Sequence, residues 1–203
     1  PLNLSRHPAF AEKIIEWFLT THVRRRIQWL QVQGAVRPGK TRALNHVVQL
    51  CADQHALAAS MVFSRDMDPD EFRRSFLAMI LAQIASGLPA FADALAAVCY
   101  EIAVSGLTHL FDAGTIKNQF EALFMAAYKK MVSSNPETRP LLIAFDGLDD
   151  CSPIVMRFVC EFMRECIEKL DLVYFIVSGT TSFQFFSSFD TLATMMDVTT
   201  LET

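Results

Sequence analysis

Gly34-Ala35-Val36-Arg37-Pro38-Gly39-Lys40-Thr41 has the spacing G-x-x-x-x-G-K-T, and residues of these types at this spacing capture anions. Successive backbone N–H groups curl around a phosphate while the following helix aims its positive end at it. Lys40 has the charge and reach for the outer phosphates, and Thr41 offers a hydroxyl to Mg²⁺. With Arg42 one step into the helix, residues 34–42 form the candidate contact set for a nucleoside triphosphate, ATP or GTP. A second set follows Leu141-Leu142-Ile143-Ala144-Phe145, an apolar run ending on Asp146. A carboxylate there suits Mg²⁺, directly or through water, and completes a shell begun by Thr41 and phosphate oxygens. Asp149 and Asp150 add two carboxylates within one turn, placed to orient or deprotonate a water for attack on a terminal phosphate. The competing readings are a strand-end cap for Asp146, and for the acidic pair a cap on the helix that Pro153 opens.

Both sets work only if the chain brings two strand ends together. Ile27-Gln28-Trp29-Leu30-Gln31-Val32-Gln33 alternates as a strand does, and residues 41–52 are apolar at helical spacing. Residues 56–63 form a second apolar run, and Asp68-Pro69-Asp70-Glu71 opens a helix reaching about residue 86. Helices are predicted over 89–104 and 115–132, strands over 141–145 and 172–177, and a helix over 153–170 between those strands. A short helix over 183–189 and a last strand over 195–199 complete the pattern. An amphipathic helix over 8–20, carrying Trp17, precedes the first strand and is expected to pack beside the phosphate site. Strands separated by helices imply one α/β domain with a doubly wound, mainly parallel five-stranded sheet. Ligands of such sheets bind beyond the strands' carboxyl ends, so the two residue sets are expected at the ends of neighbouring strands.

Composition narrows the function classes. With 203 residues, 52% hydrophobic and 20% charged, the chain is globular and not disordered. Its 17 Phe and 9 Met suggest that some apolar surface meets a further partner. A formal charge of −4 argues against a nucleic-acid-coating protein, which needs a dense cationic face. The one cationic run, Arg24-Arg25-Arg26, reads as a solvated turn or as a patch near a bound nucleotide. Cys51, Cys99, Cys151, Cys160 and Cys166 are scattered and lack a C-x-x-C pair, which suits reduced thiols in a cytoplasmic protein. The five histidines sit near no second metal ligand in sequence, so no zinc site is assigned. No apolar stretch is long enough to span a membrane. The start at Pro1 reads as a piece excised from a longer protein.

Phe145-Asp146-Gly147-Leu148-Asp149-Asp150-Cys151 resembles the Walker B signature of the NACHT class of STAND nucleotide-triphosphatases, especially the domains of fungal immune-type and vegetative-incompatibility receptors. In that signature a small residue follows the first Asp and an acidic pair precedes a cysteine. Met61-Val62-Phe63-Ser64-Arg65 is similar to the group's second strand, Leu81-Ala82-Gln83-Ile84-Ala85 to a helix with an internal Gln, and Gln119-Phe120 to a later helix motif. The resemblance implies a P-loop NTPase three-layer sandwich over residues 1–203, with 1–26 as helix and linker and 27–203 as the core. It further implies a switch that exchanges diphosphate for triphosphate, opens and forms a homo-oligomer, with effector, winged-helix and repeat domains elsewhere in the protein. It favours Asp150 for catalysis.

Two departures bear on chemistry. Arg37 stands where the group usually has glycine, and Pro38 lacks an N–H. Ser178-Gly179-Thr180-Thr181 stands where the group usually has Thr-Ser-Arg-Pro, and no Lys or Arg follows Lys169. Thr180 gives a hydrogen bond but not the charge-assisted contact of an arginine. Nucleotide binding with weak or no hydrolysis is therefore expected. The rivals are a degenerate scaffold with an empty site and a small-molecule kinase. A kinase normally needs a cationic lid, whereas only Arg157, Arg164 and Lys169 follow the acidic strand.

Overall fold

A computed structural model describes residues 12, 16–18, 26–33, 38–53, 57–106, 116–135, 140–179 and 196–202. Its elements are β1 (Ile27–Gln33), α1 (Pro38–Asp53), β2 (Leu57–Val62), α2 (Pro69–Gly87) and α3 (Pro89–Val104). Next come α4, in three stretches (Ile116–Gln119, Phe120–Met125, Ala126–Ser134), β3 (Leu141–Asp146), α5 (Pro153–Lys169), β4 (Val173–Gly179) and β5 (Met196–Glu202). The strands lie in the order β2-β3-β4-β1-β5, and every pair is parallel. The short helix expected over 183–189 lies outside the described residues.

β3 and β4 are buried along their whole lengths because both faces of the sheet are covered. Alternate residues go to opposite sides. Leu141, Ile143 and Phe145 join Val173, Phe175 and Val177 in the core under α2 to α5. Leu142, Ala144, Tyr174 and Ile176 join Leu44, Val47 and Cys51 of α1 on the other face. The phenylalanines explain much of the apolar composition from within. Phe76 meets Phe162 at 5.1 Å edge-on, Phe162 meets Phe175 at 6.1 Å, and Phe145 stacks on Phe175 at 5.8 Å. Each fully buried ring of this kind contributes about 1.5–3 kcal/mol by leaving water.

Helix starts follow local chemistry. Asp68 caps α2 by accepting from the N–H groups of Asp70 and Glu71 at 2.9 and 2.8 Å, ahead of Pro69. Leu88 alone separates α2 from α3, its N–H closing α2 on the Ile84 carbonyl at 2.8 Å. The helix expected over 115–132 widens into a π turn at Phe120–Met125, which sets Phe120, Leu123 and Phe124 into the core together.

Two expectations are corrected here. The helical residues 16–18 do not reach the carboxyl end of the sheet. Trp17 and Phe18 pack edge-on against Tyr174 at 5.9 and 5.4 Å, near the start of β4. Nor is Arg26 a solvated turn residue. It is buried, and its guanidinium donates to the Ile167 and Leu170 carbonyls at the end of α5. The residue before β1 lies at the end of the strand opposite its last residue, Gln33, about 23 Å away. Arg26 therefore cannot serve a ligand at the phosphate loop. Arg24 and Arg25 lie outside the described residues.

Candidate functional site

The strand order corrects the expected adjacency of the two residue sets. β1, which leads to the phosphate loop, and β3, which ends on Asp146, are not neighbours, because β4 runs between them. The register aligns Val62 with Asp146, Phe145 with Val177, and Ser178 with Leu30. The end of β4 therefore stands between the loop strand and the acidic strand.

Asp146 is the last residue of β3 and only 3% exposed. Its backbone carbonyl accepts from the Phe63 N–H at 2.8 Å, which ties it to the edge strand. Its Oδ1 accepts from the hydroxyl of Ser178. That same hydroxyl oxygen accepts from the Gly147 N–H at 3.1 Å. Gly147 has φ +70°, a conformation that suits glycine, so the backbone turns there and points its N–H back toward β4. The second carboxylate oxygen, Oδ2, is buried and has no hydrogen-bond partner among the described residues. A buried carboxylate oxygen left so costs desolvation energy that a cation would offset. A buried anionic oxygen of this kind is a donor that a hard ion such as Mg²⁺ accepts.

The acidic pair forms a short turn of its own, Leu148–Asp150, closed by the Asp150 N–H on the Gly147 carbonyl at 2.8 Å. The cap of α5 is Ser152, whose side chain accepts from the Val155 N–H at 3.3 Å, so Asp149 and Asp150 are not needed to cap that helix. Arg65, in the turn after β2, stands 3.9 Å from Asp150. With Arg65 69% exposed the pair is loose and worth little in stability, but it does put the Ser64-Arg65 motif beside the acidic turn. Cys151 donates its thiol to the Leu148 carbonyl at 2.9 Å, and burial pushes its pKa up to about 12. The cysteine of the motif is thus a structural thiol closing the turn and not a reactive one.

Pro38 is the first residue of α1, where its missing N–H removes no intrahelical bond. Gly39, Lys40, Thr41 and Arg42 follow in the first turns of the helix, with Thr41 exposed. Gly34, Ala35, Val36 and Arg37 lie outside the described residues, as does Thr180. Of the late cations, Lys169 sits at the far end of α5, 2.5 Å from Glu121 and 2.7 Å from Glu165. Arg164 pairs with Glu165 at 3.5 Å. Neither belongs to a lid over the carboxyl ends of the strands.

Ser178 and Gly179 do more in the structure than their place in the motif implies. They entered only as replacements for a family pattern, yet Ser178 holds Asp146. A hydroxyl closing an otherwise apolar buried strand is the signal that could have found it, since a buried hydroxyl needs a partner.

The family model described as nephrocystin 3, N-terminal, matches residues 10–179. A comparison with curated proteins finds no match. Among solved structures, the whole chain is similar to a chain in Drosophila ORC bound to poly(dA/dT) DNA and Cdc6, with 9% identity and a TM-score of 0.59. Over 96% of its length it is similar to the Aeropyrum pernix ORC2 protein in its ADP form, with 14% identity and a TM-score of 0.48. The chain spans 29% and 46% of the lengths of those two chains. At such identity the Drosophila likeness is one of fold, and with the parallel sheet flanked by helices it makes this an α/β domain of P-loop NTPase fold. The family match runs from ahead of β1, through the phosphate loop and the acidic strand end, to the last residue of β4, and the chain belongs to the nephrocystin 3 N-terminal family.

Proposed function

We propose that this chain is a nucleotide-triphosphate-binding switch module, taking ATP or GTP with Mg²⁺ and hydrolysing it slowly or not at all. One observation carries the reading. Asp146 presents a buried carboxylate oxygen without a hydrogen-bond partner among the described residues, at the carboxyl end of a sheet whose loop strand leads into G-x-x-x-x-G-K-T. Among the described residues no group of three or more His, Cys, Asp or Glu could hold a metal alone. In this reading a cation at Asp146 takes its remaining oxygens from the Thr41 hydroxyl, a nucleotide and water.

In this reading the backbone of residues 34–39 cradles the phosphates, Lys40 reaches the β- and γ-phosphates, and Arg42 lies at the rim. Thr41 and Asp146 hold Mg²⁺, which when bound neutralises charge on the phosphate oxygens. Asp150 or Asp149 positions a water. The lack of an arginine at Thr180 removes a charge-assisted contact to the terminal phosphate, which supports slow turnover. The finer reading is a NACHT-type switch within a STAND, NLR-like receptor of cytoplasmic location. Its partners are flanking effector, winged-helix and repeat domains, and a homo-oligomer forms on activation. The nucleotide drives such a switch only by its differential affinity for the two states, about 10⁴-fold for a full reversal.

A second reading, a scaffold with an empty site, rests on Arg37 and the missing arginine. Titration of the purified chain with fluorescent ATP and GTP, with and without Mg²⁺, separates the two. Saturable binding that Lys40→Ala abolishes supports the switch. No binding at millimolar nucleotide sinks it.

A further inference from the structure

The hydroxyl of Ser178 is fully buried and spends both of its useful directions inside the protein. Its single proton goes to Asp146 Oδ1, and one lone pair accepts the Gly147 N–H at 3.1 Å. A serine has no second proton to give. While this arrangement holds, Ser178 cannot also donate to a phosphate oxygen. What it can do is stop the Asp146 carboxylate rotating about its last bond. With Oδ1 tied to β4, the other oxygen is left buried and aimed away from that bond, without a hydrogen-bond partner among the described residues.

We propose that Ser178 is a positioning residue for the divalent cation of the nucleotide site, acting through Asp146 and never touching the nucleotide. The proposal rests on the nucleotide and Mg²⁺ reading above. The geometry has three parts that depend on one another. Gly147 at φ +70° delivers the N–H that orients the serine oxygen. The oriented oxygen sends its proton to Oδ1, and the fixed carboxylate offers Oδ2. Partners of this outer kind, which hold a metal ligand without touching the metal, typically alter metal affinity 10–100-fold when removed. The reach is short because Asp146 ends β3 and Ser178 is the last residue but one of the adjacent β4, so no loop closure is needed to bring them together. Ser178 thus makes β4, the strand between the two motif strands, part of the cation site.

The experiment compares nucleotide affinity in Mg²⁺ with affinity in EDTA, for the wild type, Ser178→Ala and Ser178→Thr. The ratio of the two affinities reads the cation's contribution, and Mn²⁺ binding in the presence of nucleotide, followed by electron paramagnetic resonance, reads it directly. Ser178→Ala should shrink the ratio and weaken Mn²⁺ about 10–100-fold, leave the EDTA affinity unchanged, and be rescued by Ser178→Thr, which keeps the hydroxyl. Equal loss in Mg²⁺ and EDTA would place Ser178 on the nucleotide and overturn the proposal. An unchanged ratio in Ser178→Ala would also overturn it. A wild type that binds nucleotide equally well in both conditions would remove Asp146 from any cation and the proposal with it, while nucleotide binding survives. No binding by the wild type in either condition refutes the underlying reading and this inference together. If Ser178→Ala fails to fold, Ser178→Cys carries the test, since its weak S–H donor should give an intermediate ratio and a wild-type ratio would be a refutation.

Discussion

The indole of Trp29 on β1 lies against the Cα of Gly179 on β4, so close that a methyl group added there would stand 2.3 Å from the ring carbon Cζ2. The same methyl would stand 3.2 Å from Asp149 Oδ1. Gly179 is therefore required by contact and not by backbone conformation, and it seats the loop strand against the acidic turn. Gly179→Ala should cost about 1–3 kcal/mol, the range for overpacking a closed site. In a Trp29→Leu background the same substitution should cost much less. Urea denaturation of the four proteins measures the coupling, and an equal penalty in both backgrounds would show that the ring is not the obstacle.

Arg26 does the work of a helix C-cap from outside the helix. Its two-pronged donation to the Ile167 and Leu170 carbonyls satisfies groups that the last turn of α5 cannot pair internally. Arg26→Leu should lower stability by about 3 kcal/mol, as expected for loss of hydrogen bonds from a charged donor to buried carbonyls. Arg26→Lys should recover little, because an ammonium cannot fork. Nucleotide affinity of the folded fraction should not change, and a selective loss of affinity would put this residue at the site after all.

Gln83 explains a helix motif that sequence could name but not interpret. Its side-chain oxygen accepts the N–H of Ser60 at 2.9 Å, an N–H facing outward from edge strand β2. The glutamine covers a ladder position that would otherwise be open to another strand. Gln83→Ala should lose about 1 kcal/mol and associate more readily on warming, by light scattering. Gln83→Glu, which keeps the acceptor, should behave like the wild type. Association of both variants alike would point to net charge instead of the edge.

The Asp68 cap predicts a pH dependence. The N–H groups of Glu71 and Asp70 hold its carboxyl below the ordinary 3.8. A carboxyl depressed by folding stabilises the folded state above 3.8, and that contribution is lost as the pH falls through the lower folded value. Asp68→Ala should therefore melt below the wild type at neutral pH, and the gap should narrow only in acid below 3.8. A gap that stays constant down to the acid limit would mean that the charge contributes nothing.

Much of the fold was legible in order along the chain. The runs at residues 141–145 and 172–177 are apolar throughout because both faces of a parallel sheet are covered, and α3 is bounded by Pro89 just as its start signal implies. Asp146 was legible as a strand-end carboxylate, since a charge after an apolar run marks where the strand stops, but its burial was not. Neither Arg26 nor the helical residues 16–18 could be placed, because cationic runs and amphipathic helices look alike at either end of a sheet.

The residues of the candidate site were legible in the sequence alone: G-x-x-x-x-G-K-T after one strand and Asp146 with its acidic turn after another are local patterns that depend on backbone chemistry and short spacing. Which strand stands between them is not local. Tertiary pairing inserted β4 between β1 and β3, and only that pairing brought the Ser178 hydroxyl to Asp146 and Gly179 to Trp29. Hydrogen bonds between residues 32 positions apart leave no periodic trace in a chain, so their partners emerge only when the sheet closes.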